Sequence, residues 1–124
     1  MSETTAITKA LQTYFDGLYE GDTDKLRQVF LKSCALTYAQ DGQVVSIPRD
    51  DWFAAVDARA KPKEAGLSRH DDILAIDILD AHTAFAKVKC AIPPRYFTDL
   101  LCLLKIDGQW QVAQKVSAVE LRTQ

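Results

Sequence analysis

Five side chains in this sequence could take part in acid–base chemistry. Tyr14 and Asp99 offer a phenol and a carboxyl group, which together could stabilise an oxyanion by donating hydrogen bonds. His70 and Asp72 lie two residues apart on a predicted strand, so their side chains share a face and the carboxylate could orient the imidazole. Lys115 supplies a possible cation near the end of the chain. These patterns identify candidates and leave the catalytic residues, if there are any, unknown.

Each candidate also has a structural interpretation. Tyr14 lies on the apolar stripe of a predicted helix, where a buried tyrosine usually hydrogen-bonds its hydroxyl group. The strand that begins at His70 follows a loop rich in charges, which favours a solvated His70–Asp72 pair. His70 and His82 are far apart and have no third ligand nearby, so we expect no metal. The five glycines form no phosphate or dinucleotide loop and no G-x-S-x-G motif, and we expect no cofactor.

Composition excludes several classes of protein. The chain has 124 residues, of which 48% are hydrophobic and 26% charged, as in a folded domain of ordinary size. The net charge is −2 and basic residues form no block, so we expect no nucleic-acid partner. No secretory signal or apolar run of membrane-spanning length is evident, which predicts no membrane association. The cysteines are Cys34, Cys90 and Cys102, an odd number with no C-x-x-C motif, which favours reduced thiols in the cytoplasm.

The periodicity of apolar residues predicts three helices in the N-terminal half, near residues 3–20, 22–31 and 49–60. Gly21 is suited to ending the first helix and Asp22 to capping the second. From residue 36 onward the remaining segments alternate as strands, with hairpin turns expected at Asp41-Gly42 and Asp107-Gly108. We therefore predict one α+β domain over residues 1–124, in which a curved antiparallel sheet packs its concave face on three helices.

The register of the last hairpin predicts which side chains share a face. Counting back from a two-residue turn at Asp107-Gly108 pairs Leu103 with Val112 and Leu100 with Lys115. Asp99 and Lys115 then point to opposite faces, unless a bulge intervenes, and should not act together.

The strand over residues 100–106 is apolar on both faces, and three helices can cover only one of them. The other face must also be covered, and this favours a homodimer formed through the sheet. A locally oversized core is the alternative.

Two stretches of the sequence resemble a known family. Residues 97–112, FTDLLCLLKIDGQWQV, are similar to the last hairpin of the branch of the nuclear transport factor 2-like superfamily named putative lumazine-binding, close to the SnoaL-like proteins. Residues 14–22, YFDGLYEGD, are similar to the end of that group's first helix. The resemblance covers essentially the whole chain and implies a cystatin-like cone with a pocket between the sheet and the helices. It places six residues in the pocket wall: Tyr14, Leu18, Tyr38, Trp52, Phe53 and Val56.

The resemblance implies three possible functions. The first is non-covalent binding of an unidentified small molecule in the pocket. The second is a cofactor-independent cyclase, isomerase or dehydratase that uses the same pocket. An isomerase of this superfamily needs a carboxylate base in addition to its oxyanion donors, and near the first hairpin this chain offers Tyr38, Ala39 and Gln40. The third is a dimeric interaction module whose cone is filled by its own side chains.

Overall fold

The structure is a computed structural model that describes residues 2–122. The expected domain over residues 1–124 therefore includes three residues, Met1, Thr123 and Gln124, that lie outside the described range. The nine elements are α1 (Glu3–Glu20), α2 (Thr23–Val29), β1 (Ala35–Gln40), β2 (Gln43–Pro48), α3 (Arg49–Ala58), β3 (Asp72–Ile78), β4 (Thr83–Ile92), β5 (Arg95–Ile106) and β6 (Gln109–Leu121).

Local signals in the sequence explain the helix ends. Gly21 adopts the left-handed conformation with φ 65° and ends α1. The Asp22 side chain accepts hydrogen bonds from the first backbone N–H groups of α2. Asp50 and Asp51 lie in the first turn of α3, where carboxylates interact favourably with the helix dipole. The three predicted helices are confirmed, although α3 ends at Ala58 and not at residue 60.

The six strands form one sheet in the order β2-β1-β6-β5-β4-β3. Both expected hairpin turns are confirmed, since Asp41 and Gly42, like Asp107 and Gly108, have the positive φ values of a type I′ turn. Four pairings are antiparallel, as predicted, but β1 and β6 pair in parallel. Short turns force antiparallel neighbours, whereas β1 and β6 are distant in sequence and their direction depends on how α1 and α2 deliver β1 to the sheet.

The core lies between the helices and the inner face of the sheet. All three helices contribute to it, and β4, β5 and β6 add every second residue, including Val88, Leu101 and Val112. Alternate residues of β5, such as Leu100 and Cys102, are exposed on the outer face. The predicted α+β cone, with its helices gathered on one face, is confirmed. Within residues 2–122, no helix has the length and apolar composition that crossing a membrane requires.

Candidate functional site

A bulge in the last hairpin places Lys115 and Ser117 on the inner face of the sheet, beside Asp99. Cys102 pairs with Gln114 and Leu103 with Val112, which leaves Ala113 without a partner. Beyond the bulge the register differs by one residue, so Leu101 and not Leu100 opposes Lys115, and Asp99 opposes Ser117. The prediction that Asp99 and Lys115 point to opposite faces is therefore wrong, because the bulge that it named as the one exception is present.

Tyr14 on α1 completes a hydrogen-bonded network with these residues. Its hydroxyl group donates to Asp99 Oδ2 over 2.5 Å and accepts from Lys115 Nζ over 2.6 Å. Ser117 Oγ donates to Asp99 Oδ1 over 2.6 Å, and Cys90 Sγ lies 3.6 Å from Asp99 Oδ2. Lys115 Nζ is itself 3.9 Å from Asp99 Oδ2. The five side chains form what we call the polar cluster: Tyr14, Cys90, Asp99, Lys115 and Ser117.

Aromatic rings surround the ammonium group of the polar cluster. Lys115 Nζ lies 4.1 Å from the centroid of the Trp52 ring, 4.7 Å from that of Tyr14 and 5.8 Å from that of Phe30. Phe30 and Trp52 meet edge to face at 5.0 Å. Ring faces carry partial negative charge and attract a cation most strongly where water is excluded. Lys115 is thus held by electrostatics on two sides, by the Asp99 carboxylate and by the rings.

Burial determines the electrostatics of the cluster. Tyr14 and Asp99 are fully buried, and Lys115 is 5% exposed. Burial raises the pKa of the Tyr14 phenol well above its ordinary value, and the nearby Asp99 raises it further. Burial and Asp99 also raise the pKa of the Cys90 thiol. Tyr14 and Cys90 are therefore protonated donors at neutral pH, and both donate toward the carboxylate of Asp99.

Five of the six residues predicted to line the pocket lie in the core next to this cluster. Tyr14, Leu18, Trp52, Phe53 and Val56 are all at most 7% exposed and belong to one packed group. The sixth, Tyr38, is half-buried on β1, on the same face as Leu36. Two cavities of about 500 and 380 Å³ open at the surface, and neither is lined by any of these six residues.

His70 and Asp72 lie elsewhere, at the larger of these cavities. Both are exposed, and no hydrogen bond joins their side chains among the described residues. His70 instead packs edge to face on Tyr96, with the ring centroids 5.3 Å apart. Cys90 of the polar cluster also lines this cavity, but Asp72, Lys89 and Thr98 follow one another across neighbouring strands on the outer face of the sheet. The structure therefore separates the His70–Asp72 pair from Tyr14, Asp99 and Lys115.

Sequence reasoning missed Ser117 and Phe30 as neighbours of the candidate site and treated Cys90 only as a core residue. The polar spacing Lys115-x-Ser117 on a strand was the available signal for Ser117, because alternate residues share a face. No sequence signal places Phe30 beside Lys115, since this contact depends on how α2 packs against β6. Among residues 2–122, no group of three His, Cys, Asp or Glu side chains is arranged to hold a metal ion.

The sequence model of one family matches residues 2–117, nearly the whole chain, and its description is putative lumazine-binding. The chain belongs to this family. No curated protein sequence shows significant similarity to the chain.

Solved structures place the family member among nuclear transport factor 2-like folds. A nuclear transport factor 2-like protein from Shewanella baltica is 25% identical with a TM-score of 0.87, over 97% of this chain and 95% of that one. One from Silicibacter pomeroyi is 21% identical with a TM-score of 0.84, over 97% and 100% of the two chains. A ketosteroid isomerase-like protein from Erwinia carotovora atroseptica is 15% identical with a TM-score of 0.74, over 98% of each chain. These likenesses support the cone fold.

Proposed function

We propose that this lumazine-binding-family protein binds, without covalent chemistry or a cofactor, a small planar molecule that carries a carbonyl group. The observation that supports this most directly is the state of Lys115. Its ammonium group has three N–H donors but makes one hydrogen bond among the described residues, to Tyr14. The oxygens of Asp99, by contrast, already accept from Tyr14, Ser117 and Cys90. The cluster therefore has donors to offer, which suit a ligand acceptor such as a carbonyl oxygen.

The rings around Lys115 favour a planar ligand. Trp52, Phe30 and Tyr14 pack edge to face against one another, with centroids 5.0 to 6.4 Å apart. A flat ring that enters between Trp52 and Lys115 would exchange the cation–π contact for stacking on the indole and a hydrogen bond to the ammonium group. We call these three rings the aromatic shell. Because they are packed together, they must move apart before a ligand can bind. The family's description, which names lumazine, agrees with a planar ligand bearing carbonyl groups.

The test is titration with lumazine, followed through the fluorescence of Trp52 in a Trp110→Phe background that leaves Trp52 as the single tryptophan. We expect saturable quenching. Losing one hydrogen bond from a charged donor costs about 1.5–3 kcal/mol, so Lys115→Met should weaken binding by at least about tenfold. Lys105→Met is the matched control, because Lys105 lies on β5 and pairs with Glu3 outside the cluster. Equal affinity in both variants would contradict the proposed site.

A filled cone that serves as an interaction module is the second candidate. The packing of Trp52, Phe53 and Val56 in the core favours it, since neither surface cavity reaches these side chains. Native mass spectrometry of the purified protein separates the two functions. A co-purifying small molecule supports the binding function, whereas a bare chain together with no response to lumazine supports the filled cone.

An isomerase mechanism has less support from the geometry. Tyr14 and Asp99 are the residue types that donate to an oxyanion in such sites. Here, however, the Tyr14 hydroxyl group already donates its hydrogen bond to Asp99. The required carboxylate base has no counterpart in the first hairpin, where Tyr38, Ala39 and Gln40 precede the turn. Without a base positioned at the cluster, proton abstraction has no acceptor.

We also propose that the protein is a homodimer joined through the outer face of β5 and β6. Leu100 and Val116 pair directly across these strands and are 40% and 48% exposed. Cys102 and Leu104 follow Leu100 on the same face. An exposed apolar patch of this kind is typical of an interface, and a two-fold contact presents each residue twice.

The three free thiols further support a reducing, cytoplasmic location.

A further inference from the structure

A cavity separates α1 from the edge of the sheet. It is the smaller of the two surface cavities, with a volume of about 380 Å³, and it lies between α1 and the edge strand β3. Gln12, Phe15 and Asp16 line it from the helix, and Asp72 and Ile73 line it from the strand. Phe15 and Ile73 also pack in the core. The cavity therefore marks a place, which we call the seam, where helix and sheet stand apart and the core comes close to the surface.

Arg69 bridges the seam. Its Nη2 atom lies 2.8 Å from Asp16 Oδ1 on α1 and 2.8 Å from Oδ2 of Asp71, which directly precedes β3. Its guanidinium group lies over the ring of Tyr19 on α1, 4.8 Å from the centroid. The Tyr19 hydroxyl group donates to the carbonyl oxygen of Leu67 over 2.9 Å. We call Arg69, Asp16, Asp71 and Tyr19 the latch, because together they hold the connection from α3 to β3 against α1.

Both surface cavities approach the polar cluster beside the latch. Phe15, at the seam, is buried, and its ring centroid lies 5.7 Å from that of Tyr14. The larger cavity shares Asp71 and Asp72 with the seam and is lined by Cys90, which belongs to the polar cluster. The latch therefore lies where solvent comes close to the cluster from two sides.

The latch is weaker than the contacts behind it. The side chains of Arg69, Asp16 and Asp71 are between 23% and 43% exposed. Exposed ion pairs add little to stability, and salt screens them. Lys115 and Asp99, by contrast, are almost completely buried. Segments that open locally are those held by few buried contacts, so the latch can release while the core stays folded.

We propose that the latch gates the cone, so that a ligand enters through the seam after Arg69 releases Asp16. The inference rests on the proposed function for its ligand, and it adds the route of entry and the residue that controls it. The latch lies outside the aromatic shell and holds the closed state equally with and without ligand. Weakening it therefore accelerates association and dissociation by the same factor and leaves the affinity unchanged.

The first test needs no ligand. It measures the bimolecular constant for acrylamide quenching of Trp52 fluorescence in the Trp110→Phe background. Arg69→Gln should raise this constant at least about threefold, because it removes two exposed ion pairs and a cation–π contact. Added salt should raise the constant of the Trp110→Phe protein and have a smaller effect when Arg69→Gln is also present.

Lys105→Gln is the matched control, because it removes another partly exposed ion pair that joins α1 to the sheet. Its partner Glu3 lies at the start of α1, about 20 Å from Asp16 along the helix, so quenching should stay unchanged. Equal quenching with and without Arg69→Gln would overturn the proposal. An equal rise in Lys105→Gln would also overturn it, since α1 would then loosen wherever it is untied.

The second test follows lumazine binding by stopped-flow fluorescence in the same background. Arg69→Gln should raise the association and dissociation rate constants by the same factor, and a change in dissociation alone would contradict gating. If Arg69→Gln raises quenching but lumazine does not bind, the gate stands and the proposed cone ligand fails. If lumazine binds with unchanged rates in Arg69→Gln, the binding function stands and the gate is overturned. If neither quenching nor binding is seen, both proposals are overturned.

Discussion

Lys115 Nζ lies 3.9 Å from Asp99 Oδ2, although an unbroken hairpin would turn these two side chains to opposite faces of the sheet. The extra residue Ala113 makes the difference by changing the parity of β6 beyond it. One unpaired residue therefore converts a solvated lysine into a buried one. The polar cluster and its aromatic shell both depend on this change of register.

The first prediction concerns the free energy of unfolding of charge variants in the cluster. Lys115→Met should destabilise the protein by about 3–5 kcal/mol, because it leaves the Asp99 carboxylate buried without its cation. Combining it with Asp99→Leu should recover most of this loss, since an apolar pair of similar volume removes the uncompensated charge. Urea denaturation of the wild type and the three variants gives the coupling. Strictly additive losses would show that Asp99 and Lys115 do not interact.

The second prediction concerns alkaline pH. Tyr14 has a folded-state pKa well above the ordinary value of 10.0, so its contribution to stability is complete below that value and declines as the pH rises further. Absorbance at 295 nm should show one of the four tyrosines ionising only as the protein unfolds. Tyr14→Phe should remove that component and leave the rest of the titration unchanged. If the same component is lost in Tyr38→Phe instead, the assignment to Tyr14 is wrong.

The third prediction concerns acidic pH and the contact between α1 and the last hairpin. Glu3 accepts hydrogen bonds from Lys105 over 2.9 Å and from Trp110 Nε1 over 2.7 Å. These bonds, that to Lys105 foremost, lower the pKa of the Glu3 carboxyl group below 4.5, so it adds stability above its ordinary pKa that is lost as the pH falls through the lowered value. Glu3→Gln should melt below the wild type at pH 7, and the difference should vanish in acid. A constant difference across this range would exclude the ionised carboxylate as its cause.

The fourth prediction concerns the oligomeric state. Leu100→Asp should convert the expected homodimer to a monomer in sedimentation equilibrium, because a carboxylate at the centre of an apolar contact is desolvated without a partner. The fold should survive, since Leu100 points away from the core. Val44→Asp is the control, because Val44 is 79% exposed on the edge strand β2. A wild type that is already monomeric at tens of micromolar contradicts the proposed interface.

The sequence alone determined the local features of this protein. The helix ends at Gly21 and Asp22 and the turns at Asp41-Gly42 and Asp107-Gly108 follow from backbone preferences of single residues, which act over a few positions and are readable in order. The apolar stripe of α1 likewise identified Tyr14 as buried. The family followed from the stretch over residues 97–112.

Only the tertiary structure decided what the buried groups do. No distinctive residue type marks the bulge at Ala113. Counting residues back from the turn therefore could not show that Asp99 and Lys115 share a face. The parallel pairing of β1 with β6 joins strands separated by most of the chain, and no local preference sets its direction. Such features arise from the sum of many weak packing contacts between distant elements, and the types and spacing of a few residues do not contain that sum.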